Sequence, residues 1–194
     1  MYGLFLVEPE YNTLPPVDKE YYVMQSEFYH EPLDNTGGNT VVEPSYPRGL
    51  DENADVVVFN GKESSLTTDS PLQAKTGDHV RIYFGNAGPN LLSSFHLIGG
   101  IFEKVWRDGD LVSAPGRFIQ TIAVPPGGSS VVDVHPVVPG TYTLVDHAIF
   151  RLDKGAVRDT HERGEANGKC DAAMRSVTHA RVVLCAFVSD RLAI

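Results

Sequence analysis

The sequence predicts an all-β domain, an antiparallel sandwich or Greek-key barrel, and three observations carry that reading. Short runs rich in Val, Ile, Phe, Tyr and Thr recur along the chain, turn signals separate them, and no stretch carries the apolar spacing of a long helix. With 18 Gly and 13 Pro among 194 residues, the composition favours turns and strands over a helical bundle. An apolar content of 42% is enough for one ordinary core, so one main domain with attachments is expected.

Taken in order, Tyr2 to Val7 reads as a short strand closed by Glu8-Pro9. Tyr11 to Lys19, with Pro15-Pro16, reads as a stiff linker, so residues 1–17 are expected to end one unit before the next begins. Glu20 to Tyr29 is aromatic and β-rich, and a long loop bearing Gly, Asn and Pro then runs to about Asn53 as an exposed excursion. Strand candidates follow at short spacing: Asp55 to Asn60, His79 to Phe84, Leu92 to Ile98, Phe118 to Val124, Ser130 to His135 and Thr141 to Asp146. Asn60-Gly61, Thr76-Gly77-Asp78 and two Pro-Gly turns punctuate them, and no helix beyond one or two turns is expected after His147. Residues 18–157 thus form the expected domain. Beyond them, Arg158 to Glu165 has no apolar face, although residues 177–188 regain β-branched and apolar character. Residues 158–194 are therefore expected to be an atypical tail, disordered or frameshifted. A domain lacking its closing strand would expose a sheet edge, and a strand from further down the chain is one way to cover it.

Charge and patterning exclude some classes of function. A formal charge of −9 without a Lys/Arg cluster disfavours nucleic acid. No apolar run reaches the roughly 18 residues of a membrane span. The start, Met1-Tyr2-Gly3-Leu4-Phe5-Leu6-Val7-Glu8-Pro9, has no basic segment and no small-residue cleavage site, so it does not read as a signal peptide. The two cysteines, Cys170 and Cys185, both fall in the tail, where a disulfide, a free pair and chance placement all remain open. Cys185 has no His or Met downstream, so it does not read as a blue-copper ligand.

Two histidines lie at the ends of apolar, strand-like runs, where a rigid scaffold can present a side chain to a pocket. His96 sits in Ser94-Phe95-His96-Leu97-Ile98-Gly99-Gly100, among apolar neighbours that would form a dry wall around an imidazole able to exchange a proton near neutrality. The bland alternative is a core histidine satisfied by a backbone carbonyl. His147, in Tyr142-Thr143-Leu144-Val145-Asp146-His147-Ala148-Ile149-Phe150, is open to the same two readings, because one histidine never makes a metal site. His30, His79 and His135 read as exposed or edge residues and Met24 as core, while His161 and His179 fall in the tail.

These two segments, with the intervening Val124-Pro125-Pro126-Gly127-Gly128 turn and the Pro139-Gly140-Thr141-Tyr142 turn, resemble the C-terminal half of copper-containing nitrite reductases. The resemblance runs from Met1 to about Val157. It implies a cupredoxin-like Greek-key β-sandwich or barrel as the C-terminal domain of a two-domain chain, with three chains in a ring. It further implies that His147 ligates a type 2 copper shared between subunits, that His96 is the catalytic proton donor, that Ile98 crowds bound nitrite, and that the Thr121 hydroxyl orients the catalytic imidazole. Met1, in a Met-x-Gly segment, matches the weak axial ligand of the type 1 copper of a preceding domain, whose other ligands are not in this sequence.

The function implied is reduction of nitrite to nitric oxide in the periplasm, with electrons from a donor such as a cupredoxin or a c-type cytochrome. By itself the chain, with one ligand to each copper, is expected to be inactive. No His-x-His pair occurs, which disfavours a multicopper oxidase. The reading from another class is a copper-free cupredoxin-like binding or assembly module.

Overall fold

The computed structural model describes residues 3–8, 10, 14–33, 41–62, 72–154 and 182–187, of which 152–154 and 182–187 are described by backbone alone. The strands, in chain order, are β1 (Lys19–Phe28), β2 (His30–Pro32), β3 (Val42–Pro44), β4 (Val56–Phe59), β5 (Gln73–Lys75), β6 (Val80–Asn86) and β7 (Ser93–Ile98). They continue with β8 (Phe102–Arg107), β9 (Gly116–Ile119), β10 (Thr121–Val124), β11 (Ser129–Val134), β12 (Gly140–Asp146) and β13 (Val182–Phe187). A short helix, α1 (Tyr46–Leu50), follows β3, and a 3₁₀ turn, Ile149–Lys154, follows β12. Among the described residues, no helix is long and apolar enough to cross a membrane.

Two sheets contain most of the chain. A six-stranded sheet runs β4-β1-β6-β11-β8-β9, a five-stranded sheet runs β10-β7-β12-β13-β5, and β2 and β3 pair separately. Most pairings are antiparallel, but β1 lies parallel to β6, and β13 parallel to β5. Strand alternation decides what is buried: in β7, Ser93, Phe95 and Leu97 point inward while Ser94, His96 and Ile98 are half-buried on the outer face. The core between the sheets centres on Phe84, Phe95 and Phe102, whose rings stack with centroids 3.9 and 5.5 Å apart. Burying each such side chain contributes about 1.5–3 kcal/mol of transfer free energy, which favours this alternation over a one-residue slip.

Several expectations change here. Residues 3–8 form no strand; a short segment needs a ladder partner to be one, and here Leu4 instead lies against Gly85. Met24 is half-buried beside it rather than in the core. The expected strand from Phe118 to Val124 is two strands, because the chain changes sheets at Gln120: β9 pairs with β8 and β10 with β7. Phe118 has φ 52°, a left-handed conformation that costs an L residue about 1–2 kcal/mol, and this kink redirects the strand. Strand β8 was not expected, since Phe-Glu-Lys-Val-Trp-Arg alternates poorly, and its pairing with β11 carries a register shift at Asp133/Val134. The excursion before Asn53 contains the β2-β3 pair and α1. Residues 182–187 run antiparallel to β12, with Cys185 opposite Thr141, so a segment of the expected tail lies in the sheet. Cys170, His161, His179 and Met1 fall outside the described residues.

Candidate metal-ligand and proton-transfer site

Strands β10, β7 and β12 lie side by side, and their register gathers the candidate residues on the outer face of the five-stranded sheet. Thr121 pairs with His96 across β10 and β7, while Val145 of β12 faces His96 from the other side. His147 lies just past β12, where its backbone N–H donates to the Ser94 carbonyl at 2.8 Å. The two imidazoles meet edge to face, with centroids 5.0 Å apart and planes at 73°. Ile98 shares the outer face of β7 with His96, opposite Thr143. The chain turns directly after Ile98: Gly99 has φ +87°, a backbone state that suits glycine, and Gly100 leaves room for the Leu97 side chain.

His96 is oriented through one ring nitrogen. Its Nδ1 lies 2.8 Å from the Gln120 carbonyl and 3.1 Å from Thr121 Oγ1. A carbonyl only accepts, so Nδ1 carries a proton, and in the neutral ring Nε2 holds the lone pair. Among the described residues Nε2 makes no hydrogen bond, which leaves it available to take a proton and pass it on. The carbonyl contact of the bland reading is therefore present, but on a half-buried ring whose second nitrogen makes no hydrogen bond among the described residues.

The exposed His147 follows a carboxylate that faces the other way. Asp146 is 3% exposed and points between the sheets. Its Oδ1 accepts from the backbone N–H groups of Ser94 and Ala148, both at 3.0 Å. Its Oδ2 accepts from Gln25 Nε2 at 2.9 Å and Arg151 Nη1 at 3.0 Å. Sequence reasoning missed this arrangement and the Gln120 carbonyl. Alternation along β12 was the available signal for Asp146, since it puts an aspartate at an inward position beside an outward His147.

A second histidine pair lies elsewhere. His79 and His135 stack at 4.3 Å where β6 begins and β11 ends, with His79 Nδ1 3.9 Å from the Glu103 carboxylate. Among the described residues, no group of three or more His, Cys, Asp or Glu is placed to hold a metal ion. Copper sites draw on about three protein ligands, so His147 fits one position of such a site, and the described residues do not complete it.

Comparison with known proteins gives this histidine pair its context. Over 172 residues the chain is 45% identical to a copper-containing nitrite reductase of Neisseria gonorrhoeae, covering 86% of this chain and 42% of that protein. A solved copper nitrite reductase from Nitrosomonas europaea superposes with a TM-score of 0.61 at 33% identity, covering 76% of this chain and 50% of the other. A Cu-containing nitrite reductase from Thermus scotoductus superposes with a TM-score of 0.61 at 35% identity, covering 73% of this chain and 30% of that one. The chain belongs to the copper-containing nitrite reductase family. No family model matches it. It spans about two fifths of the length of the curated nitrite reductases it matches. Copper is the cofactor for which this family is named, and the cupredoxin-type sandwich described above is its fold.

Proposed function

We propose that this chain contributes half of a nitrite-reducing copper site: His147 as one imidazole ligand of a type 2 copper, and His96 as the proton-transfer group. The observation that carries the reading is the edge-to-face pair itself, with His96 Nδ1 committed to Gln120 and Nε2 without a hydrogen bond among the described residues. In the complete site, nitrite takes up one electron and two protons and yields nitric oxide and water. Bound copper would supply Lewis-acid polarisation of nitrite and the electron.

What the chain's own residues do follows from their positions. His96 Nε2 holds or releases a proton while the Gln120 carbonyl and Thr121 hydroxyl keep the ring from turning. The side chain of Ile98, on the same face, narrows the space beside the ring. His147, exposed just past β12, would offer a ring nitrogen to the copper, and the other ligands and the type 1 copper would come from a first cupredoxin domain, in a ring of three subunits. Met1, on this reading, belongs to that type 1 site. The periplasm, and a cupredoxin or c-type cytochrome as electron donor, complete the proposal.

A chimera tests it: residues 1–157 replace the matching segment of the Neisseria gonorrhoeae relative, and nitric oxide release and copper EPR are recorded. His147→Ala is expected to remove the type 2 signal and leave the type 1 signal. His96→Ala is expected to keep copper and lower turnover by about 10²–10⁴-fold, with a changed pH–rate profile. Type 2 copper retained in His147→Ala overturns the ligand assignment.

A further inference from the structure

The structure assigns Asp146 a role beyond packing: it is the positioning residue that holds the His147 segment against the sheet. The inference rests on the ligand reading of His147, and the geometry supports it independently of any metal. A carboxylate accepts hydrogen bonds and, when ionised, donates none; all four contacts to Asp146 come from donors. The two donors on Oδ1, Ser94 N–H and Ala148 N–H, flank the histidine site: Ser94 stands two residues before His96, and Ala148 directly follows His147. One oxygen therefore ties the strand bearing His96 to the turn bearing His147. The donors on Oδ2 anchor that tie at both ends. Gln25 is wholly buried in β1 of the opposite sheet, and Arg151 belongs to the 3₁₀ turn.

Gln25 is itself oriented. Its Oε1 accepts from the buried Ser93 hydroxyl at 2.7 Å, which turns Nε2 toward Asp146. The path Ser93 to Gln25 to Asp146 runs from β7 through the other sheet and back to β12. Arg151 also donates to the Leu92 carbonyl, so its guanidinium spans the chain just before β7 and the carboxylate at the last residue of β12. Ordinary packing would not need a buried carboxylate at this place, since an apolar side chain would fill it with less desolvation. What the carboxylate adds is a fixed position for residues 147 and 148.

The two substitutions at this site separate positioning from bulk stability. Asp146→Ala removes every acceptor. Asp146→Asn keeps Oδ1 on the two backbone donors, and the Gln25 amide can turn over to present its oxygen, because the Ser93 hydroxyl can accept instead of donate; only the Arg151 contact is lost.

The test uses the full chain without copper, labelled with ¹⁵N, and reads amide exchange and the imidazole signals of His96 and His147. In Asp146→Ala, exchange at Ala148 and Ser94 is expected to rise about tenfold more than at Leu97 or Val132, the size expected for one lost hydrogen bond, and the His96–His147 ring NOE is expected to disappear. Asp146→Asn is expected to restore the ring NOE and the protection of Ser94, and to leave Ala148 exchange no higher than loss of the Arg151 contact alone makes it. Should Asp146→Ala fail to fold, Arg151→Gln, at a partly exposed position, is expected to raise Ala148 exchange alone. A wild-type ring NOE in folded Asp146→Ala, or unchanged Ala148 exchange in Arg151→Gln where the alanine variant does not fold, overturns the positioning role. Neither result touches the ligand reading, which stands or falls on copper in the chimera.

Discussion

Two buried aspartates, one in each sheet, solve the burial of a carboxylate in opposite ways. Asp133 of β11 and Asp146 of β12 are each 3% exposed. Asp133 is met sideways, by Arg81 on the neighbouring strand: Nε to Oδ1 at 2.7 Å and Nη2 to Oδ2 at 2.9 Å. Lys104, on the strand at its other side, approaches to 3.8 Å, and the Trp106 ring covers the Arg81 guanidinium at 5.5 Å. That pair is internal to one sheet and touches no loop of the candidate site. Asp146 instead shares its charge among two backbone amides, a glutamine and one arginine, and so joins both sheets to the loop carrying His147. A bidentate pair favours a particular strand alignment, whereas a dispersed set of donors orders a turn.

The largest effect is expected at Asp133. Asp133→Ala leaves Arg81 charged and buried, and urea unfolding should show a loss of about 3–5 kcal/mol, with the His96 and His147 NMR signals unchanged. Replacing both partners, Arg81→Met with Asp133→Leu, should recover most of that loss. If the double variant is no more stable than the single one, the desolvation argument for this pair is wrong. Asp146→Ala is expected to cost less globally, about 1–3 kcal/mol for its unsatisfied donors, while disturbing the histidines that Asp133→Ala leaves alone. Equal disturbance of the histidines by both variants would erase the distinction between the two carboxylates.

The two regions also differ in how much of each was legible in the sequence. Apolar, β-branched runs made β7 and β12 readable as strands, and the structure adds the facing: Phe95, Leu97 and Leu144 turn inward, which puts His96 on the outer face. Motif resemblance then paired His96 with His147, and the structure brings their rings together. The supporting shell was not legible, because its contacts join residues far apart in the chain, as Gln25 and Asp146 do, or use a backbone carbonyl, as Gln120 does. The Arg81–Asp133 pair escaped notice for a similar reason: its partners sit opposite each other only once the register of β6 and β11 is known. Strand β8 was hidden because two charged residues, Glu103 and Lys104, stand side by side in it, which breaks the simple apolar alternation. The sheet change at Gln120 was hidden because Phe118 carries no glycine-like signal for its left-handed backbone.

A pH experiment sharpens the contrast from the side of Arg81. Tyr83 lies on the same outer face, and burial, followed by its hydrogen bond to Glu20, pushes its hydroxyl up to about 12. A folded-state value above the unfolded one of 10 means this contribution to stability is intact below pH 10 and is lost as pH rises through about 12. Alkaline unfolding should therefore steepen between those values, and Tyr83→Phe should flatten that part of the stability curve. An identical alkaline limb in the variant would mean that Tyr83 does not titrate differently in the folded state.

The smallest effect is expected at Thr121. Its hydroxyl lies 3.1 Å from His96 Nδ1, but the Gln120 carbonyl is nearer, at 2.8 Å, and a carbonyl can only accept. Thr121→Val keeps the shape and removes the hydroxyl, so the Nδ1–H tautomer should persist with a stability change of about 0.5 kcal/mol or less at this exposed position. ¹H–¹⁵N spectra of the imidazole report the tautomer directly. A switch to the Nε2–H form would show that the hydroxyl, and not the carbonyl, sets which nitrogen carries the proton, and Nε2 would then lose its lone pair in the neutral ring. If the tautomer holds, the sheet change at Gln120 sets the ring's protonation through a backbone group, which no substitution of the Gln120 side chain alone can remove.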